Sequence, residues 1–248
     1  MKKYVNLFVF VFMVGTCFSQ GKAQTKSAVS YKNPVVDIAM PDPTVIKAAD
    51  GYFYVYATES TRNVPIMKSK DLVEWTYCNT AFTNKTRPRF EPKAGIWAPD
   101  INYINNKYVL YYAMSVWGGE QTCGIGVATA DSPQGPFTDH GKMFRSNEIG
   151  VQNSIDPSLL QYEGRNYLVW GSFRGIYVIE LTTDGLSIMP GAKKKRIAGT
   201  AFEAVYIHKH DDYYYMFASI GSCCQGVKST YKVVVGRSKK VWGPYKDK

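Results

Sequence analysis

Four acidic residues stand out by type and position. Asp42, Asp100, Asp156 and Glu203 each open a similar stretch, at intervals of about 50 residues. Carboxyls brought into one small space repel each other, which raises at least one pKa. Such a set suits general acid and base work better than stability. The competing reading is that each acid caps a turn through Asx-type hydrogen bonds. Zinc chemistry is not indicated, because no CxxC occurs and the three His residues have no partner spacing.

The elements around these acids repeat. Asp42-Pro43-Thr44-Val45-Ile46 is followed by a turn at Asp50-Gly51 and by Tyr52-Phe53-Tyr54-Val55-Tyr56. Asp100-Ile101-Asn102-Tyr103-Ile104 leads through Asn105-Asn106 to Tyr108-Val109-Leu110-Tyr111-Tyr112. Asp156-Pro157-Ser158-Leu159-Leu160 leads through Glu163-Gly164 to Tyr167-Leu168-Val169-Trp170. Glu203-Ala204-Val205-Tyr206-Ile207 leads through Asp211-Asp212 to Tyr213-Tyr214-Tyr215-Met216-Phe217. Each unit reads as a hairpin with an aromatic second strand. Two more strands follow in most units: Val64–Lys68 and Trp75–Tyr77, Ile125–Thr129 and Gly135–Thr138, Lys232–Gly236 and Gly243–Tyr245. Four short strands per unit predict an all-β fold, a β-propeller, with the first strand of each blade lining a central channel. The four acids are then expected in register around that channel. A β-sandwich would not explain an acid at the head of every unit.

Composition agrees. The chain has 248 residues, 45% of them hydrophobic and 15% aromatic. That excludes disorder as the main state and leans toward strands. No heptads, no Gly-X-Y period and no run of 18 apolar residues occur, which argues against coiled coil, collagen and a transmembrane bundle. Lys2 and Lys3 precede a short apolar run from Val5 to Val14, followed by small residues, as in a signal peptide over 1–19. A lipid anchor on Cys17 is the lesser alternative, since Val14-Gly15-Thr16 matches a lipobox poorly. Export to the periplasm or the exterior is expected, with a linker over 20–33 and the propeller over 34–248. Blades are placed at about 34–95, 96–150, 151–198 and 199–248. Of the net charge of +10, part lies in Lys193-Lys194-Lys195-Arg196. That run reads as a solvated loop, or as attraction toward an acidic polysaccharide, rather than as a nucleic-acid patch. Cys78, Cys123, Cys223 and Cys224 allow three pairings, and adjacent cysteines bridge only with strain.

The set Pro41-Asp42-Pro43-Thr44, Trp97-Ala98-Pro99-Asp100, Ser154-Ile155-Asp156-Pro157-Ser158 and Phe202-Glu203-Ala204 resembles glycoside hydrolase family 43. Gly221-Ser222-Cys223-Cys224-Gln225-Gly226, with Ser229-Thr230-Tyr231 and Val235-Gly236-Arg237-Ser238, is similar to the arabinan endo-1,5-α-L-arabinosidases within it. The resemblance covers residues 34–248. It implies a five-bladed propeller that hydrolyses arabinan with inversion. Asp42 would be the general base, Glu203 the general acid and Asp156 the group that raises the pKa of Glu203 and orients it. Inversion requires two carboxyls about 6.5–9.5 Å apart.

By the same resemblance, Asp42, Asp100, Asn153, Ser154, Ile155, Asp156, Ser172 and Phe173 would line the substrate site, and Trp97 would stack on a sugar ring or pack in a blade core. The partner would be plant cell-wall polysaccharide, arabinan on pectin, bound by a monomer without nucleic acid or stable membrane insertion. No cofactor is required for the chemistry and no metal ligand is assigned. The family holds a channel ion, often calcium, with help from a fifth-blade His; here the sequence stops at Lys248 with four units. Val205 also replaces the family's usual proline. The functional alternatives are a non-catalytic glycan-binding propeller, an inactive fragment, and a relative acting on xylan or arabinoxylan side chains.

Overall fold

The computed structural model describes residues 30–246. The signal peptide, Cys17 and most of the linker lie outside them. From Asn33 onward the chain forms one compact unit. It is all-β and propeller-like, with four antiparallel sheets in chain order.

The first sheet is β1 (Thr44–Lys47), β2 (Phe53–Tyr56), β3 (Pro65–Ser69) and β4 (Thr76–Thr80). The second is β5 (Gly95–Ile104), β6 (Lys107–Ser115), β7 (Gly124–Ala130) and β8 (Thr138–Arg145). The third is β9 (Ser158–Tyr162), β10 (Arg165–Trp170), β11 (Ile176–Glu180) and β12 (Lys195–Ala198). The fourth is β13 (Glu203–His210), β14 (Tyr213–Ile220) and β15 (Lys232–Ser238). Each is a meander, with neighbouring strands consecutive in sequence and antiparallel. Gly243-Pro244-Tyr245, expected to open a fourth strand there, leads only to a single bridge between Arg237 and Lys246. Half of the basic run, Lys195 and Arg196, lies in β12 rather than in a loop, although all four cations are exposed.

Aromatic second strands explain the packing. Tyr56, Phe82, Tyr112 and Phe137 fill the space between the first two sheets. Phe144 and Trp170 do so between the second and third, and Tyr162, Tyr167 and Trp242 between the third and fourth. Each large apolar side chain buried there is worth about 1.5–3 kcal/mol. The opposite face of the fourth sheet leaves Tyr206, Phe217, Val233 and Val235 exposed.

The innermost strands are stapled to one another. Thr44 Oγ1 accepts from Ile101 N (3.3 Å), Asp100 Oδ2 from Leu159 N (2.7 Å), and Ser158 Oγ donates to Val205 O (2.7 Å). One side chain at the same place on β1, β5 and β9 thus ties each inner strand to the next. Burial pushes the Asp100 carboxyl up to about 6, against the hydrogen bonds from Leu159 and Asn102.

A buried ion pair joins the first two sheets further out. Arg87 and Glu59 form a fork, Arg87 also donates to Asn63 and the Ala94 carbonyl, and Glu59 accepts from Asn63 N and Ile96 N. Burial would raise the Glu59 pKa, yet these donors together hold it below the ordinary range. Removing one member strands the other in a dry site. Arg87→Ala is expected to cost about 3–5 kcal/mol in urea unfolding. Lys107→Ala, which breaks the exposed pair with Asp131, should cost under about 1 kcal/mol. Equal losses would show that the buried pair has no special weight.

Candidate active site

The heads of the four inner strands share a feature that sequence spacing hides. Asp42, Ala98, Asp156 and Ala204 all adopt positive φ, at 49°, 41°, 57° and 52°. In the first three, proline follows. Left-handed backbone is unfavourable for residues with a Cβ, least so for Asp and Asn, and clusters where a side chain must be aimed. In β5 and β13 the pairing register slips at this place, between Trp97 and Asp100 and between Glu203 and Tyr206. The bulge turns the flanking side chain toward the axis.

This corrects the expected alignment. Only Asp42 and Asp156 are equivalent. Asp100 lies two residues beyond the equivalent Ala98, at the stapling position shared with Thr44 and Ser158. Its Oδ2 is engaged by Leu159 N and Asn102 Nδ2, both at 2.7 Å. Glu203 lies one residue before the equivalent Ala204. The acids are therefore not four of a kind: three gather at the strand heads and one belongs to the scaffold.

A cavity of about 820 Å³ runs from these heads along the inner strands, lined among others by Asp42, Lys47, Asp100, Tyr103, Asp156 and Tyr231 but not by Glu203. Asp42 is exposed. Its Oδ2 accepts from Thr58 Oγ1 (2.6 Å), whose oxygen accepts from Ala98 N (2.7 Å). Because the amide can only donate, the hydroxyl hydrogen of Thr58 is committed to Asp42.

Burial pushes Asp156 well above the ordinary carboxylate range, helped by the negative charges of Glu203 and Asp42 and opposed by the Ala204 amide. Glu203 is 8% exposed. Its Oε2 accepts from Ser172 Oγ at 2.6 Å, and Ser172 and Glu203 also form a backbone bridge. Tyr231 approaches Glu203 and Ser219, and burial raises its phenol. The arrangement places a raised Asp156 carboxyl beside the buried Glu203 and keeps Asp42 exposed to water.

The other expected contacts divide. Asn153 and Ser172 meet each other through Asn153 Nδ2, 2.9 Å from Ser172 Oγ, and so stand behind Glu203. Ser154 has no exposed surface; its hydroxyl donates to Val151 O and accepts from Trp170 Nε1. It supports the site from within instead of facing a ligand. Ile155 packs with Ala113, Cys123 and Trp97. Phe173 is half-buried, its amide on Phe202 O at 3.0 Å. Trp97 does not stand alone: its ring lies 5.5 Å from that of Trp117, which is 80% exposed.

Thr58, Trp117 and the role of Tyr231 escape sequence reasoning. Only Trp117 carries a local signal, an aromatic before Gly118-Gly119. Cys223 pairs with Cys224, leaving Cys78 and Cys123 free, and the loop they occupy is closed by Thr230 N on Ser222 O at 3.0 Å. His208 and His210 lie on the exposed side of β13. Among the described residues no three His, Cys, Asp or Glu are grouped to hold a metal ion. No helix among the described residues is long and apolar enough to cross a membrane.

The model of glycosyl hydrolases family 43 matches residues 31–248. The extracellular endo-alpha-(1->5)-L-arabinanase 1 of Bacillus subtilis (strain 168) is 38% identical over 221 residues, 84% of this chain and 67% of its own length. The extracellular exo-alpha-(1->5)-L-arabinofuranosidase ArbA of Cellvibrio japonicus is 34% identical over 236 residues, 84% and 66% respectively. The chain thus spans about two thirds of the length of these relatives. Among solved structures, Cellvibrio cellulosa alpha-L-arabinanase complexed with arabinohexaose is similar at TM-score 0.75 and 31% identity, over 85% of this chain and 74% of that one. Native Bacillus subtilis arabinanase Arb43A gives 0.73 and 33%, over 86% and 76%.

A buried acid with a raised pKa is a stability cost. The folded protein binds the Asp156 proton more tightly than the unfolded chain does, so stability falls as pH rises above the ordinary 3.8. Asp156→Asn keeps an oxygen for the Ala204 amide and removes that cost. The variant should melt higher than the parent at pH 7, with the difference vanishing toward pH 3. A lower melting temperature at pH 7 would contradict the assignment.

Proposed function

The chain belongs to glycosyl hydrolase family 43, and on that premise we propose that it is an exported enzyme that hydrolyses the α-1,5-arabinofuranosidic bonds of arabinan with inversion. Support for the substrate comes from relatives named as arabinanases and from a similar structure complexed with arabinohexaose. Two relatives are named extracellular, in line with the leader-like residues 1–19.

The observation that carries the mechanism is the unequal environment of the three carboxyls. Asp42 is exposed and supplied with one directed hydrogen bond, as a base that must take a proton from water requires. Asp156 lies beside Glu203 and is pushed well above the ordinary carboxylate range, by burial first and then by the negative charges of Glu203 and Asp42. Asp42 removes a proton from a water molecule as the water oxygen forms a bond to the anomeric carbon. The glycosidic bond breaks toward its oxygen, and Glu203 supplies the proton that the leaving oxygen takes. The products are a new reducing end of inverted configuration and a new hydroxyl.

The aromatic pair suits an extended sugar chain. Indole faces match the apolar faces of furanose rings, and Trp117 has its face open to solvent. The arabinan is proposed to run from the cavity over Trp97 and Trp117.

Linear 1,5-arabinan incubated with the protein should yield arabino-oligosaccharides, and Glu203→Gln should lower kcat by at least about 100-fold. Proton NMR of the first products should show the β-anomer; initial α-anomer would refute inversion. A folded protein that binds arabinan without cleaving it would favour the glycan-binding alternative. Trp117→Ala should raise KM several-fold with kcat and melting temperature unchanged. An unaltered KM would remove Trp117 from the binding surface.

A further inference from the structure

Glu203 stands at the end of a hydrogen-bond chain whose direction is fixed by chemistry. Asn153 Nδ2 is 3.2 Å from the Ser172 carbonyl oxygen, which can only accept. The amide therefore presents its NH2 group to Ser172. The same NH2 group is 2.9 Å from Ser172 Oγ, so that oxygen accepts from Asn153. Asn153 Oδ1, on the other side, faces the Cys123 thiol at 4.0 Å, a group able to donate. The one hydrogen of the Ser172 hydroxyl is thus left for Glu203 Oε2, 2.6 Å away. Ser172 is 2% exposed, so water does not compete for it.

We propose that Asn153 and Ser172 are positioning residues, Ser172 donating into Oε2 of Glu203 and Asn153 fixing the direction of that donor, which makes Oε1 the oxygen that carries the proton to the leaving glycosidic oxygen. This deepens the reading of Glu203 as general acid and rests on it. With Oε2 already accepting, the acid proton resides on Oε1. When the C–O bond breaks, its electron pair stays on the leaving oxygen, which takes that proton, and negative charge spreads over both carboxylate oxygens. The Ser172 bond is then charge-assisted and stronger than it was to the neutral acid. An interaction that strengthens as the reaction proceeds raises kcat rather than lowering KM. The resemblance placed Asn153 and Ser172 against the sugar; their donors are instead spent inside the protein.

Other groups face Glu203. Asp156 presents a carboxyl, Tyr231 presents its phenol from the loop after β14, and Ser219 pairs with Glu203 across the sheet. The Ser172 donor bonds the ionised carboxylate more strongly than the neutral acid. Deleting the Ser172 donor should therefore shift the balance toward the proton.

The experiment uses the full chain with Ser172→Ala and, independently, Asn153→Asp. The second variant places only acceptors beside Ser172, so the hydroxyl hydrogen turns away from Glu203 with little change in volume. Both should lower kcat on linear arabinan by roughly 10- to 100-fold, the worth of a hydrogen bond to a charged group. KM should stay within about twofold, and the alkaline limb of kcat/KM should rise by about one pH unit. Carboxyl carbon-13 NMR, with the Glu203 signal assigned by its loss in Glu203→Gln, should show the same upward shift in titration. A raised KM with kcat and pH profile kept would mean that these side chains hold the sugar, and would overturn the proposal. So would a Glu203 titration identical in parent and variants. If the parent releases no sugar, the catalytic reading fails by itself, while the NMR titration still decides whether the hydrogen-bond chain acts on Glu203.

Discussion

The structure depends on one recurrent bond, the side-chain staple from each inner strand to the backbone of the next. Thr44, Asp100 and Ser158 occupy the same place on β1, β5 and β9 and reach Ile101, Leu159 and Val205. Near the axis the sheets approach by their strand ends, where apolar packing is thin and backbone groups have no ladder partner. Polar groups left there unpaired would each cost about 1–3 kcal/mol. The staples satisfy them and fix how far each inner strand protrudes. That in turn sets where the residue two positions earlier, or one before that, points its side chain.

The site is built on that fixed edge from unfavourable parts. Left-handed residues head all four inner strands, and a buried carboxyl sits beside two others. Neither stabilises the fold, and the cores between sheets supply the stability that tolerates them. Two of the three carboxyls are held by a hydroxyl whose hydrogen has nowhere else to go: Thr58 for Asp42, because Ala98 N occupies its oxygen, and Ser172 for Glu203, because Asn153 does. Asp42 and Glu203 are therefore oriented by the same device, built from separate segments of the chain.

Much of the fold was legible from the chain. Aromatic strands following Asp-Gly, Asn-Asn, Glu-Gly and Asp-Asp turns appear as β2, β6, β10 and β14, since aromatic content and turn chemistry are local properties. The outermost strand of the third sheet leaves little signal in the sequence, because Lys195–Ala198 carries charges and no alternation. Register was legible only in part. Counting from the turns puts Asp100 in register with Asp42, Asp156 and Glu203 as a site-lining residue, and a one-residue bulge with a left-handed alanine leaves no mark in composition. Ser154 and Ser172 were equally polar in the sequence, yet both point inward.

By itself, the sequence determined the all-β repeat, the identity of Asp42, Asp156 and Glu203 as residues able to exchange protons, and the hairpins that carry them. These follow from residue type and short-range pattern. Tertiary structure alone decided that Asp100 is a staple, that Thr58 and Ser172 aim their hydrogens at the acids, and that Trp97 meets Trp117. The reason is that burial, the direction of a hydrogen bond and the effect of one charge on another all depend on neighbours tens of residues away, which no local pattern encodes.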